Sequence, residues 1–217
     1  MRSKRQVTST MLLSLITLIC FIAIASTLQT QWITNFDKVV IRWVQGWESA
    51  PLTCIMKFFT QIGSSPAVIL ISFSTIFILY KYLHHRAELI LFGVLLIGTV
   101  CLNQILKMIF HRERPSLHRL ISETGFSFPS GHSMEAFTLY AAIAFLLWRH
   151  IPTRTGRTVV IVACIGMVLM IGISRIYLGV HYPSDVMGAY LASGFWYGFT
   201  IWFYQWYMEY RYFKQTA

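Results

Sequence analysis

The sequence predicts an all-α polytopic membrane protein. It is one domain over residues 1–217, a bundle of six transmembrane helices with an interfacial helical segment between spans one and two. Three observations carry this. Hydrophobic residues make up 56% of the chain and charged residues only 12%, about half the charge of an ordinary soluble domain. Mean hydropathy is +0.58. Six stretches are apolar enough to cross a bilayer, and a soluble fold of this length could not cover that much apolar surface. The same composition excludes a disordered chain, a disulfide scaffold and a collagen-like or solenoid protein.

The first span covers residues 11–28. Its eighteen helical residues rise about 27 Å against a hydrocarbon core of about 30 Å. It follows Arg2, Lys4 and Arg5 and carries Ala23-Ile24-Ala25, features shared with secretory signals. Its apolar core is long for a cleaved signal and no polar domain follows, so it is read as a retained span. In residues 31–65, Ile33, Phe36, Val40, Trp43, Val44 and Trp47 recur at helical spacing, with Asp37, Lys38, Arg42 and Gln45 on the other side. This predicts a helix lying in the outer interface, apolar face down, with Trp32, Trp43 and Trp47 at head-group depth. The other spans are 66–83, 87–110, 132–148, 158–178 and 185–207; the third and sixth are long enough to tilt. The last contains Gly194-x-x-x-Gly198, which lets another helix approach. It ends in an aromatic tail between Trp202 and Phe213, as where a helix leaves the bilayer.

The net charge is +10, from 18 Lys and Arg against 8 Asp and Glu. No long basic run occurs and the cations fall between apolar segments, so the predicted partners are the membrane bilayer and an anionic lipid substrate, not nucleic acid. With the N-terminus inside, ten cations fall on short inner segments and eight spread over longer outer loops. The positive-inside rule therefore predicts a multi-pass cell-membrane protein with both termini cytoplasmic. Cys20, Cys54, Cys101 and Cys164 form no Cys-x-x-Cys and mostly sit in apolar runs. They are read as apolar filler rather than disulfide or zinc ligands.

Three polar clusters fall on the outer side in this topology. In the first, Lys107 and Arg114 stand seven residues apart, two helical turns, and Pro115 marks the helix end. Alone they would be snorkelling cations. In the second, Phe128-Pro129-Ser130-Gly131-His132 precedes the fourth span. Ser130 is a candidate N-cap, Gly131 lets backbone N–H groups approach a ligand, and a helix N-terminus suits an anion. Alone this is a cap beside a surface histidine. In the third, Ser174-Arg175 leads to His181 and Asp185, four residues apart. One helical turn would let the carboxylate accept the imidazole N–H, fixing the tautomer and freeing the other nitrogen as a nucleophile. Alone, Asp185 caps the sixth span. The separate explanations fail jointly. Three cations, two histidines, a donor-rich turn and a carboxylate share one face of a nearly apolar chain, where charge is costly. Converging cations and N–H donors suit a phosphoryl group, with the histidines as nucleophile and general acid.

The clusters resemble the three signatures of the type 2 phosphatidic acid phosphatase superfamily, the lipid phosphate phosphatases. Lys-x6-Arg-Pro is matched by Lys107…Arg114-Pro115, Pro-Ser-Gly-His by Pro129-Ser130-Gly131-His132, and Ser-Arg-x5-His-x3-Asp by Ser174-Arg175…His181…Asp185. No signature position departs, and the motif core spans residues 107–185. The resemblance implies that His181 attacks phosphorus to form a phosphohistidine, Asp185 orients it, and His132 serves as general acid and then base. It implies that Lys107, Arg114, Arg175, the Ser130 hydroxyl and the Gly131 N–H hold the phosphate oxygens. It further implies hydrolysis of a lipid phosphomonoester or pyrophosphate at the extracytoplasmic face, without metal or other cofactor. Glu113, Glu123, Glu135 and Asp185 are thin material for a two-metal site. The substrate expected is phosphatidylglycerophosphate, giving phosphatidylglycerol, with overlapping action on undecaprenyl pyrophosphate; a dedicated undecaprenyl pyrophosphate phosphatase is the alternative. Arg112, Arg119 and Glu123 are candidates for tuning that choice. A vanadate-dependent haloperoxidase shares such a pocket, but those enzymes are soluble and larger as a rule. A small membrane transporter would explain the spans but not a His–Asp pair opposite a histidine and three cations.

Overall fold

Eight helices follow one another in the computed structural model, which describes residues 2–83, 86–116 and 118–216. They are α1 (Arg2–Thr27), α2 (Gln31–Gln45), α3 (Ala50–Ile62), α4 (Ser65–Leu83), α5 (Arg86–Phe110), α6 (Gly131–His150), α7 (Arg154–Tyr177) and α8 (Pro183–Thr216). No strand occurs among the described residues. The predicted segment 31–65 is thus two helices. Gly46 ends α2, its N–H bonding the Arg42 carbonyl, and Pro51 in the first turn starts α3. A break at Gly63-Ser64 bends α3 against α4 by 55°.

Among the described residues, three helical stretches are long and apolar enough to cross a membrane: Thr8–Thr27, Glu88–Phe110 and Arg154–Tyr177. The bent pair Ala50–Ile62 and Ser65–Ile78 makes a fourth if taken as one span. The sequence predicts six. The difference has a physical source in α6 and α8. The first turns of α6 carry His132, Ser133 and Glu135, and α8 carries Ser184, Asp185, Ser193 and Thr200. Their buried faces are partly polar, which lowers their hydropathy.

Small residues set the packing. A Cβ on Gly198 would lie 2.9 Å from the Ser14 Cβ, and a Cβ on Gly194 would lie 3.2 Å from Thr17, so α1 lies on the predicted Gly-x-x-x-Gly step. The Ser14 hydroxyl donates to the Phe195 carbonyl at 2.9 Å. Gly98 leaves room for the Trp196 ring against α5, and its indole N–H bonds the Leu95 carbonyl at 3.0 Å. The main core joins Phe92 and Leu95 of α5, Leu139 and Leu146 of α6 and Ile201 of α8. A second cluster of Phe21, Phe128, Met134 and Ala189 supports the end of the bundle that carries the motifs. Large apolar side chains such as Ile19, Ile97 and Val162 point outward, a surface suited to lipid. Cys20, Cys54 and Cys101 are also exposed rather than filling the core, and all four thiols are free.

The α5–α6 loop crosses the α7–α8 turn. Leu120 N–H bonds the Leu178 carbonyl at 3.0 Å. Gly179 has φ +73, and a Cβ there would run into the His118 carbonyl. Both left-handed backbone and crowding therefore require glycine. Gly179→Ala is expected to cost at least about 2 kcal/mol. That should lower the unfolding temperature in detergent by about 4 °C or more. Gly93→Ala, whose Cβ meets nothing within 4 Å, should leave it unchanged; equal melting of the two variants would contradict the packing described.

Candidate active site

Lys107 lies in the last turn of α5, and Asn103 lies one turn before it. The Asn103 amide donates to the Pro129 carbonyl at 3.1 Å and so ties the Pro129-Ser130-Gly131 turn to α5. A Cβ on Gly131 would stand 3.2 Å from Asn103 Oδ1 and 3.8 Å from the Lys107 ammonium. Glycine thus lets the N-terminus of α6 approach the cation. Ser130 occupies the N-cap position of α6, but its hydroxyl makes no capping bond. It accepts instead from the Ser133 hydroxyl at 3.0 Å, while Ser130 N–H donates to the Asp185 carbonyl at 3.2 Å. The cap expected of its side chain is therefore not made. His132 follows in the first turn, half-buried, within the fields of Arg175, Glu123, His181 and Lys107.

α7 ends at Tyr177, and the turn that follows folds back so that Val180 and His181 N–H both reach the Arg175 carbonyl, at 3.2 and 3.3 Å. His181 Nδ1 then stands 3.4 Å from Asp185 Oδ2. Arg114 Nη1 lies 3.0 Å from His181 Nε2. A guanidinium only donates, so Nε2 must carry the lone pair and the ring proton sits on Nδ1, facing Asp185. Asp185 Oδ2 also accepts from Tyr182 N–H at 2.8 Å and from the Ser127 hydroxyl, and Oδ1 accepts from Arg112 at 2.6 Å. Burial is the largest influence on the His181 pKa. With the charges of Arg175 and Arg114 it outweighs the pull of Asp185 and brings the imidazole down to about 4. The ring is therefore neutral at pH 7, the form a nucleophile needs.

Arg114 is anchored by carbonyls. Nε donates to Gly125 and Nη2 to Thr124, both at 3.0 Å, and Nη1 reaches Val180 at 3.1 Å. Arg175, 1% exposed, donates to the Thr60 hydroxyl and to Glu123 Oε1, and among the described residues its Nε–H meets no acceptor. Glu123 Oε2 is 4.0 Å from Arg114 Nη2. The Glu123 carboxylate thus spans both guanidiniums. Burial works to raise its pKa, but the hydrogen bond and charge of Arg175, with His132 and Arg114, outweigh burial and hold the carboxyl below its usual range. It fills the place of an anion among cations.

All eight residues singled out from the sequence gather at one end of the bundle, with no outlier. Several partners escaped sequence reasoning. Periodicity places Asp37 on the polar face of an interfacial helix, yet it is 1% exposed and bound to Arg112 and Ser184. Ser127 and Thr60 carried no signal. Asn103 did, since it stands four residues before Lys107 within an apolar run. Among the described residues, no three His, Cys, Asp or Glu side chains converge as metal ligands.

If Glu123 competes with a bound anion, neutralising it should favour that anion. Glu123→Gln is expected to tighten binding of inorganic phosphate about tenfold, or about 1.4 kcal/mol, measured by calorimetry on the purified protein. Unchanged or weaker binding would refute the competition.

Residues 87–209 match the model of the PAP2 superfamily. The chain is 31% identical over 175 residues to phosphatidylglycerophosphatase B of Bacillus subtilis (strain 168), covering 78% of this chain and 84% of that protein. It is 40% identical over 67 residues to a putative undecaprenyl-diphosphatase of Escherichia coli (strain K12), covering 31% of this chain and 29% of that one. The fold superposes on the crystal structure of a transmembrane PAP2-type phosphatidylglycerolphosphate phosphatase from Bacillus subtilis with a TM-score of 0.73 and 29% identity, covering 86% of this chain and 92% of that chain. On the family match over more than half of its length, and on a relative aligned across most of both sequences, the chain belongs to the PAP2 superfamily.

Proposed function

We propose that this protein is a metal-independent lipid phosphate phosphatase in which His181 is the nucleophile. The observation that carries the reading is the double constraint on His181: Asp185 faces Nδ1, and an Arg114 guanidinium faces the Nε2 lone pair at 3.0 Å. A phosphate drawn to Arg114, Arg175 and Lys107 would bring phosphorus to that nitrogen, displacing Glu123 from between the two arginines.

The reaction then follows from the groups present. Nε2 attacks phosphorus as the bond to the lipid oxygen breaks, and His132, protonated once the phosphate anion is bound beside it, gives that proton to the oxygen. The imidazole becomes cationic, its proton stays on Nδ1, and the ionised Asp185 carboxylate accepts the hydrogen bond from it and balances the charge. Lys107, Arg114, Arg175, the Ser130 hydroxyl and the Gly131 N–H hold the equatorial oxygens as charge shifts onto them. His132, now neutral, takes a proton from water, which attacks phosphorus. The N–P bond breaks, releasing inorganic phosphate and neutral His181.

The substrate favoured is phosphatidylglycerophosphate, supported by the long alignment with the Bacillus subtilis relative. Overlapping hydrolysis of undecaprenyl pyrophosphate is included, since the shorter match covers a relative named for that activity. Dedicated action on the pyrophosphate is the second reading. His181→Ala should abolish phosphate release from both lipids while the protein still folds, and wild-type turnover should persist in excess EDTA. The better substrate is the one with the higher kcat/KM. Full turnover by His181→Ala, or loss in EDTA restored by Mg²⁺, would overturn the mechanism.

The same reading takes residues 1–217 as one membrane domain with motif core 107–185. In it α1 and α4 to α8 form six spans, both termini are cytoplasmic, and α2 and α3 border the outer leaflet. The polar residues of α6 and α8 face the bundle interior, where they do not meet lipid. Cysteines introduced in loop 116–128 should react with an impermeant maleimide from outside the cell. Reaction only from the cytoplasmic side would reverse the orientation.

A further inference from the structure

We infer that Asp37 and Arg112 are positioning residues for phosphoryl transfer. They form an Asp37–Arg112–Asp185 chain through which α2 fixes the carboxylate behind His181. The inference rests on the reading of His181 as nucleophile.

Burial first sets Asp37 apart. Its neighbours Lys38 and Arg42 on α2 are exposed, whereas Asp37 is 1% exposed. A carboxylate buried to that degree demands partners, and it has three donors. Arg112 Nη2 lies 2.8 Å from Oδ2, the Ser184 hydroxyl 2.7 Å from Oδ2, and Ser184 N–H 2.9 Å from Oδ1. Ser184 lies in the first turn of α8. Asp37 thus places negative charge at the N-terminus of the helix that carries Asp185, where the free N–H groups and the dipole favour it.

Arg112 is the bridge. One terminal nitrogen serves Asp37, and the other serves Asp185 Oδ1 at 2.6 Å and the Ser184 hydroxyl at 2.7 Å. The Tyr182 ring covers its face at 4.2 Å. Burial disfavours its charge, but Asp185 and Asp37 outweigh that and raise its pKa. The division of labour at Asp185 is informative. Oδ2 faces His181, Tyr182 N–H and Ser127, whereas Arg112 holds Oδ1. Arg112 therefore sets the twist of the carboxylate and keeps Oδ2 towards the imidazole. A lysine, a single-point cation, could not reach both carboxylates in this way.

α2 is pinned to the site near two points. Asp37 is one; Gln45, which bonds the His118 and Tyr177 carbonyls, is the other. Between them α2 borders a cavity of about 600 Å³ that also reaches Arg112 and Tyr182. Asp37 is thus the point at which α2 grips the catalytic end.

The experiment compares kcat and KM of wild type, Asp37→Asn, Arg112→Gln and the double variant on one lipid phosphate. Asp37→Asn keeps the shape and removes the charge. Its kcat should fall about tenfold to a hundredfold, the range for outer-shell partners, with KM within about twofold. In the Arg112→Gln background the same change should have little further effect, since its route is gone. An Asp37→Asn kcat within about twofold of wild type, or losses that multiply in the double variant, would overturn the inference. If Asp37→Asn does not fold, Arg112→Lys carries the test: it should lose at least tenfold in kcat, and full kcat would be decisive against the chain.

A second measurement separates this inference from the mechanism beneath it. The charged groups around His181 are Asp185 of α8, Arg114 of the loop, Arg175 of α7 and His132 of α6. Removing the Arg112 cation makes Asp185 a stronger proton attractor, so the His181 titration should move upward from about 4 in Arg112→Gln, followed by ¹⁵N NMR of the ring. An unmoved titration would overturn the chain. Turnover surviving in His181→Ala would overturn the nucleophile assignment alone, and the titration would still decide whether Arg112 governs the His–Asp pair.

Discussion

Everything at the motif end of this protein turns on concentrated positive charge removed from water. Arg114 and Arg175 are 9% and 1% exposed, Arg112 is largely covered, and Lys107 lies against the N-terminus of α6. Charges in such surroundings must be met by carboxylates or by oriented dipoles. Asp37 and Asp185 answer Arg112, while carbonyls of Thr124, Gly125 and Val180 answer Arg114. Glu123 supplies one more negative charge between Arg114 and Arg175. Its single charge and two oxygens answer those guanidiniums only in part, and among the described residues the Nε–H of Arg175 meets no acceptor. A phosphate brings more charge and more acceptor oxygens to the same place, and that excess is the physical basis for the proposed binding.

The scaffold exists to hold those cations close without letting them part. Asn103 joins α5 to the turn before α6, Gly131 admits the Lys107 ammonium, and Gly179 lets the α5–α6 loop lie across the α7–α8 turn. That loop carries both Arg114 and Glu123, and its register is fixed where Leu120 pairs with Leu178. The lever arms are short. A shift of about 1 Å at Gly179 would move the Arg114 guanidinium out of hydrogen-bond range of Val180 and His181, and one at Asn103 would part the Pro129 turn from α5 and Lys107.

Much of this was legible in the sequence, and the limits have physical causes. Helices reveal themselves through apolar length, so every predicted span overlaps an observed helix. The motif residues were legible because charge in an apolar chain needs a reason, and all eight converge. The count of spans was less secure, because α6 and α8 spend polar side chains on the site and so lose the hydropathy that marks a crossing. Asp37 was misread because amphipathic periodicity records which face is polar, not whether that face meets water or another helix. Ser127 and Thr60 were invisible for a related reason. Each acts through one hydrogen bond to a residue 58 or 115 positions away, a separation no local pattern encodes.

The contrast between Asp185 and Glu123 shows how one sequence can give two carboxylates opposite tasks. Asp185 is wholly buried and held on both oxygens, by Arg112 on one side and by Ser127, Tyr182 N–H and His181 on the other. Any displacement would break several bonds at once, so it suits a fixed orienting role. Glu123 is 27% exposed at its side chain and held by Arg175 through one close contact, with Arg114 at the edge of ion-pair range. It sits on a loop rather than a helix, so it can withdraw without unwinding an element. A group that must yield to an incoming anion needs weak, solvent-reachable attachment, and a group that must hold an imidazole needs the reverse. Both requirements follow from where each residue falls in the chain: Asp185 in the first turn of a long helix, Glu123 in the middle of a crossing loop.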